Sequence, residues 1–144
     1  MKCSDIPARA ISTSYRVPYA DTDQMGVVYY GNYLTLFERA RNELMRSTGF
    51  TYDQMEKNDG AMLPVIESHV NYQAPARYDD LLTIAAWVEE ARGVRVKIAC
   101  AVLRGEELLA HGYTIHAVCD IRTRRPIRVP SYILAALASP PSQA

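Results

Sequence analysis

Between Met62 and Asp120 the chain presents four strand-like runs, "MLPVIESHVNYQ", "LLTIAAWVEEA", "VRVKIACAVL" and "LLAHGYTIHAVCD", joined only by short turn-like stretches such as "PARYDD" and "RGEE". A parallel crossover needs a connection of about a dozen residues or more, so strands joined this tightly have to pair antiparallel. That restriction leaves few folds open. Ahead of the runs lie a first strand at about Ser12 to Val17 and one long helical stretch. The expected architecture is therefore α+β, with a mainly antiparallel sheet laid against a single long helix.

The helix is predicted from about Tyr30 to about Thr48, with Gly49 as the residue that closes it. At 100° per residue, Tyr30, Tyr33, Leu34, Phe37, Ala40, Leu44, Met45 and Thr48 form one broad apolar stripe, opposed by Arg39, Asn42, Glu43 and Arg46. Arg41 falls inside the stripe and Glu38 at its edge, a spacing that reads as an intrahelical ion pair. A shorter helix is expected around Thr51 to Lys57, and another over "VPSYILAALA" near the end.

Among the strands, "LLTIAAWVEEA" is apolar on both faces, which suits the middle of a sheet or a subunit contact. "VRVKIACAVL" sets Val94, Val96, Ile98, Cys100 and Val102 against Arg95 and Lys97. The first run places Ile66, Ser68, Val70 and Tyr72 on one side.

A chain of 144 residues suits one domain, read as 1–144, with residues 1–11 and 139–144 as loose tails. Sixteen basic and sixteen acidic residues cancel, so no polyanion-binding surface is indicated and nucleic acid is not an expected partner. No apolar run reaches signal-peptide or membrane-spanning length, which leads to a cytoplasmic expectation. Cys3, Cys100 and Cys119 lack metal or CxxC spacing and read as reduced thiols. His69, His111 and His116 sit on predicted strands without ligand spacing and read as structural.

The chemistry is sought in "YADTDQMGVVYYGNYL". Acids ahead of a helix commonly act as caps or solvated turn residues, the commoner reading on sequence alone; the distance of Asp21 and Asp23 from Tyr30 weakens it and leaves open that at least one acid faces something else. A helix start supplies free N–H groups and the positive end of the macrodipole, both suited to a developing oxyanion. Tyr30 and Gly31 are the expected donors, and Gly26 permits a turn that brings the acids back over them. A carboxylate with an oxyanion hole can transfer an acyl group to water without metal or cofactor. Such a sparse site suits a thioester, whose thiol of pKa about 8.5 leaves unaided. No GxSxG, HExxH, GxGxxG or Walker loop competes with this reading.

The motif "YADTDQMGVVYYGNYL", with "FERAR", "NYQAPARYDDLLTI" and "RVP", closely resembles the signature of the 4-hydroxybenzoyl-CoA thioesterase family of hotdog-fold enzymes, including the acyl-CoA thioesterases associated with the Tol-Pal system. The resemblance implies an antiparallel sheet wrapped around one long central helix, assembled as a homodimer or a dimer-of-dimers tetramer. It implies hydrolysis of an acyl-CoA or acyl carrier protein thioester, with Asp23 as nucleophile or general base, Asp21 shaping the loop, and the Tyr30 N–H, with Gly31 nearby, polarising the carbonyl. Many members of the Tol-Pal-associated branch carry histidine where this chain has Tyr30, which leaves a backbone role but no imidazole. Val28 and Asn32 flank the helix start and are expected to contact substrate. The resemblance also implies Glu38 near the acyl end and Arg92 and Arg125 near the nucleotide phosphates. Two other readings stay open: a hotdog hydratase or dehydratase, and a non-catalytic acyl-thioester-binding or scaffold subunit.

Overall fold

The computed structural model describes residues 1–49 and 51–138. Its elements run β1 (Ile11–Arg16), α1 (Asn32–Ser47), α2 (Tyr52–Asp59), β2 (Ala61–Met62), β3 (Val65–Tyr72), β4 (Leu81–Arg92), β5 (Arg95–Arg104), β6 (Glu107–Ala117), β7 (Cys119–Asp120) and α3 (Ser131–Ala138). Five strands form one antiparallel sheet in the order β1-β4-β5-β6-β3, and β2 pairs with β7.

The expected middle strand is β4, which lies between β1 and β5 and buries both faces along most of its length. On one face Leu82, Ile84, Ala86 and Val88 join Val96, Ile98, Cys100 and Val102 against Phe37, Ala40 and Leu44 of α1. Each large side chain hidden there contributes on the order of 1.5–3 kcal/mol. Burial also pushes the Cys100 thiol up to about 12, so it is a packing residue and not a nucleophile. All three cysteines are free thiols.

Sequence and structure differ in four places. The buried stripe of α1 holds Arg41 as expected but also Leu36, whereas Leu34 and Tyr30 are exposed, because Tyr30 precedes the helix and Leu34 faces the uncovered edge of the sheet. The first expected strand run is broken after Met62, where Leu63 and Pro64 carry the chain from β2 into β3. The amino-terminal segment, expected to be loose, holds a 3-10 turn at Cys3–Asp5. Its Cys3, Ile6 and Ala10 pack on Ala85, Trp87, Ala99, Ala101, Leu103 and Leu108, covering apolar surface on the other face of the sheet. Finally, β1 and β3 end up at opposite edges of the sheet, an order that local pattern does not encode. Residues 139–144, the other expected tail, lie outside the described residues.

Two glycines have a steric role. Gly49 takes φ 91° and ends α1 as expected. On β6, a Cβ at Gly112 would fall 1.8 Å from the His69 carbonyl oxygen, so only glycine lets β3 approach that closely. No helix among the described residues is long and apolar enough to cross a membrane.

Candidate active site

The loop before α1 is shaped by Asp21. Its carboxylate accepts the Tyr15 hydroxyl at 2.6 Å, and its carbonyl accepts the Tyr29 N–H at 2.9 Å and the Asn32 side-chain amide at 3.0 Å. These bonds fold the loop back on the helix start. Asp21 is thus a loop-forming residue, as expected.

Asp23 heads the adjoining tight turn. Its N–H donates to the Val27 carbonyl and its carbonyl accepts from Gly26 N–H, both at 2.9 Å, with Gly26 at φ 75°. That left-handed position favours glycine. The Asp23 Oδ1 accepts the Met25 N–H at 2.9 Å, so the turn reading of the acid is partly realised. Among the described residues Oδ2 has no protein donor, and the half-buried carboxylate borders a cavity of about 340 Å³ lined by Val28, Tyr30, Tyr33 and Tyr72 among others.

Tyr30, just ahead of the helix, lines the same cavity. The Tyr29 carbonyl accepts from Asn32 N–H at 2.9 Å and the Tyr30 carbonyl from Tyr33 N–H at 3.3 Å, while among the described residues no protein group accepts from the N–H of Tyr30 or Gly31. In a trans peptide the N–H points opposite its carbonyl, so both amides are directed away from the helix body. Asp23 and Tyr30, the latter with an unpaired amide, therefore border one opening.

Tyr30, Tyr33 and Tyr72 line it, and Tyr29 packs against Tyr30. The Tyr29 and Tyr30 rings lie 4.6 Å apart, and Tyr33 meets Tyr72 edge-on at 5.1 Å. The Tyr29 hydroxyl is held above its ordinary 10 first by its hydrogen bond with Tyr30 and then by charge, including that of Asp23. Tyr72 is raised by burial and by Tyr30.

A model of the thioesterase-like superfamily matches residues 17–137. The chain belongs to the thioesterase-like superfamily. It is 33% identical over 113 residues to the putative acyl-CoA thioesterase YneP of Bacillus subtilis, covering 78% of this chain and 81% of that one. To the acyl-CoA thioester hydrolase YbgC of Escherichia coli O157:H7 it is 34% identical over 121 residues, 83% and 90% of the respective chains. The structure of a DHNA-CoA thioesterase from Staphylococcus aureus matches with a TM-score of 0.79 at 34% identity, over 88% of this chain and 85% of that one. The fold is the hotdog arrangement of this superfamily, a sheet wrapped on one long helix.

In this superfamily member the other expected site residues are dispersed. Val28 lines the main cavity, but Gly31 and Asn32 do not, and the Asn32 amide is engaged by Asp21. Glu38 is exposed and borders a second cavity of about 270 Å³ with Leu34, Thr35, Arg41, Ser68 and Thr114. The expected Glu38–Arg41 pair is absent among the described residues. Arg41, only 8% exposed, turns toward β6 and donates to the Thr114 hydroxyl at 3.4 Å, with its Nε buried and unpartnered. Thr114 contacts His116 Nε2 at 2.8 Å, and His116 Nδ1 contacts the Leu63 carbonyl at 2.9 Å. A carbonyl only accepts, so Nδ1 carries the proton and the threonine hydroxyl donates to Nε2.

Arg92 is exposed, lies 3.6 Å from Glu90, and borders a third cavity with Arg95 and Lys97. Arg125 borders none of the three cavities. Its loop is tied to the Arg92 hairpin by Val118 N–H on the Val94 carbonyl and Val129 N–H on the Gly93 carbonyl. No group of three or more acidic, histidine or cysteine side chains suited to a metal occurs among the described residues. Sequence reasoning missed Tyr72 as a site residue. Its only signal was its place at the end of the alternating run through Ile66, Ser68 and Val70.

Proposed function

We propose that the protein hydrolyses acyl-CoA thioesters to a carboxylic acid and CoA. The observation that carries this reading is the cavity of about 340 Å³ lined by both Asp23 and Tyr30, whose N–H has no acceptor among the described residues. The thioester carbonyl sits with its oxygen toward those amides and its carbon toward Asp23. Charge that develops on oxygen during attack is stabilised by donors already in place, which need no reorganisation. The thiol then leaves as thiolate, without a dedicated acid.

Asp23 performs one of two jobs. As a nucleophile its free Oδ2 attacks the carbonyl carbon, CoA thiolate departs, and water hydrolyses the mixed anhydride. As a general base it removes a proton from water, which attacks directly. Single-turnover hydrolysis in ¹⁸O water separates these, since only the first route labels the Asp23 carboxylate.

Relatives point to the acyl group. Those named above include an enzyme for DHNA-CoA, and other similar proteins are named 1,4-dihydroxy-2-naphthoyl-CoA hydrolases. The tyrosine-lined opening fits a flat aromatic acyl group as well as an alkyl chain. Glu38 is assigned to the acyl side of the seam between α1 and β3, and Arg92 and Arg125 to the CoA phosphates.

The working unit is a homodimer or a pair of homodimers. Supporting this, β3 is an edge strand with nearly every residue exposed, its own Val65, Ile66 and Tyr72 among them, and Leu34 of α1 is exposed as well. An uncovered edge of eight residues is a pairing surface that folded proteins protect, and a second copy would cover it. Light scattering on the purified protein tests that assembly.

The functional test is thiol release from a panel of short, long, branched and aromatic acyl-CoAs. Turnover on at least one class supports hydrolysis; tight binding without thiol release would instead support an acyl-thioester-binding subunit. Hydration of an enoyl-CoA is not expected, because among the described residues no histidine lines the main cavity.

A further inference from the structure

Tyr30 joins two peptide planes, and each is anchored through its carbonyl. The preceding plane is held by Asn32 N–H on the Tyr29 carbonyl at 2.9 Å. The following plane has two anchors on the Tyr30 carbonyl: the Tyr33 N–H at 3.3 Å and the Tyr72 hydroxyl at 2.9 Å. The helical bond is longer than the usual N–H···O range, whereas the hydroxyl bond lies within the O–H···O range. The stronger anchor thus comes from outside the helix.

That plane is also the one that most needs anchoring. It precedes a glycine at the first turn of a helix, where backbone freedom is greatest. Because carbonyl and N–H are antiparallel in a trans peptide, holding the Tyr30 oxygen fixes the direction of the Gly31 N–H. It also fixes ψ of Tyr30, and so the angle between the two amides that flank this residue.

Tyr72 is well placed to do this. It is the last residue of β3, its ring packs edge-on against buried Tyr33 at 5.1 Å, and it lines the cavity shared by Asp23 and Tyr30. We propose that Tyr72 is a positioning residue for thioester hydrolysis: by clamping the Tyr30 carbonyl, its hydroxyl fixes the Tyr30–Gly31 peptide plane and so holds the turn in which the Tyr30 amide faces the developing oxyanion. The proposal rests on the hydrolase reading above and adds a residue from the sheet edge to a site otherwise built from one loop and one helix start. It also makes the order of β3, at the far side of the sheet from β1, a determinant of the amide geometry.

The test is Tyr72→Phe, which keeps the ring and its packing on Tyr33 and removes only the hydroxyl. Tyr72 is 48% exposed, so the variant stays folded. Two readouts are taken on the full chain. In ¹⁵N–¹H NMR without substrate, the Gly31 amide is expected to shift and to exchange with solvent several-fold faster, while Gly93 and Gly105, on distant turns, stay put. In steady-state thiol release from the best acyl-CoA of the panel, kcat is expected to fall about tenfold with KM changed less than about twofold, the loss of one hydrogen bond felt in the transition state alone. An unmoved Gly31 amide, an unchanged kcat, or an effect confined to KM overturns the proposal. Wild-type inactivity on every thioester tried strikes at the hydrolase reading, whereas an unmoved amide strikes at the clamp alone.

Discussion

The Tyr15 hydroxyl donates to Oδ2 of Asp21 at 2.6 Å, tying the first strand to the loop that carries Asp23. This bond separates two acids that stand one residue apart in the sequence. Asp21 is held at its side chain by β1 and at its carbonyl by Tyr29 and Asn32, while Asp23 keeps one carboxylate oxygen open to the cavity. Replacing Asp21 by Ala removes the bond from a half-buried tyrosine, a loss of about 1–2 kcal/mol in urea unfolding. Because the loop loosens without losing its reacting group, kcat is expected to fall less than in any Asp23 variant. Equal losses in the two would contradict the division of labour.

Gly31→Ala tests the crowding at the helix start. The residue has φ −64°, which alanine adopts freely, but its Cβ would lie 2.8 Å from Cε2 of Tyr29. That ring is exposed and can swing aside, so stability should change by less than about 1 kcal/mol. Swinging it breaks the Tyr29–Tyr30 contact at the cavity mouth, and kcat/KM is expected to drop about tenfold or more. Restoring activity with Tyr29→Ala in the same chain would identify the ring as the cause.

Gly112→Ala is expected to behave in the opposite way. Its Cβ would fall 1.8 Å from a backbone carbonyl, and neither strand can yield without breaking the β3–β6 ladder. A stability loss of at least about 3 kcal/mol, or detachment of β3 seen as loss of amide protection from Val65 to Tyr72, follows.

The pH dependence of stability should carry the mark of His116. Burial, followed by the charge of Arg41, lowers its pKa to about 4 from the ordinary 6.5, against the opposing pull of the Leu63 carbonyl. The unfolded chain therefore takes up the proton first. The stabilising contribution is full above about pH 6.5, declines as the pH falls toward 4, and amounts to about 3 kcal/mol at most. Urea midpoints measured across that window should fall with pH in the wild type, and the slope should flatten in His116→Gln. A wild-type midpoint that rises on acidification would contradict a neutral, buried imidazole.

Much of this molecule was legible from local pattern because its elements are locally consistent. The helix stripe through Phe37, Ala40 and Leu44, the stop at Gly49, the doubly apolar β4 and the alternation in β5 all stand as the sequence suggests. The turn chemistry of the loop was legible too: Asp23 accepts the Met25 N–H of its own turn and does not cap the helix. What escaped notice depends on contacts between distant segments. The Glu38–Arg41 spacing suited an ion pair, yet Thr114, brought in by β6, takes the guanidinium instead. Tyr72 reaches Tyr30 only because β3 pairs beyond β6 at the sheet edge, and Cys3 and Ile6 are ordered by apolar surface on strands about eighty residues or more away. Spacing along the chain carries no signal for such meetings.

The carboxylate at position 23 is the group we propose to carry out the hydrolysis. Thiol release by wild type and Asp23→Asn, on the best substrate of the acyl-CoA panel and at equal protein concentration, tests it most directly. Turnover should fall at least about a hundredfold in the variant, with the same assembly state by light scattering and an unchanged urea midpoint. A variant that releases thiol at the wild-type rate would place the chemistry elsewhere.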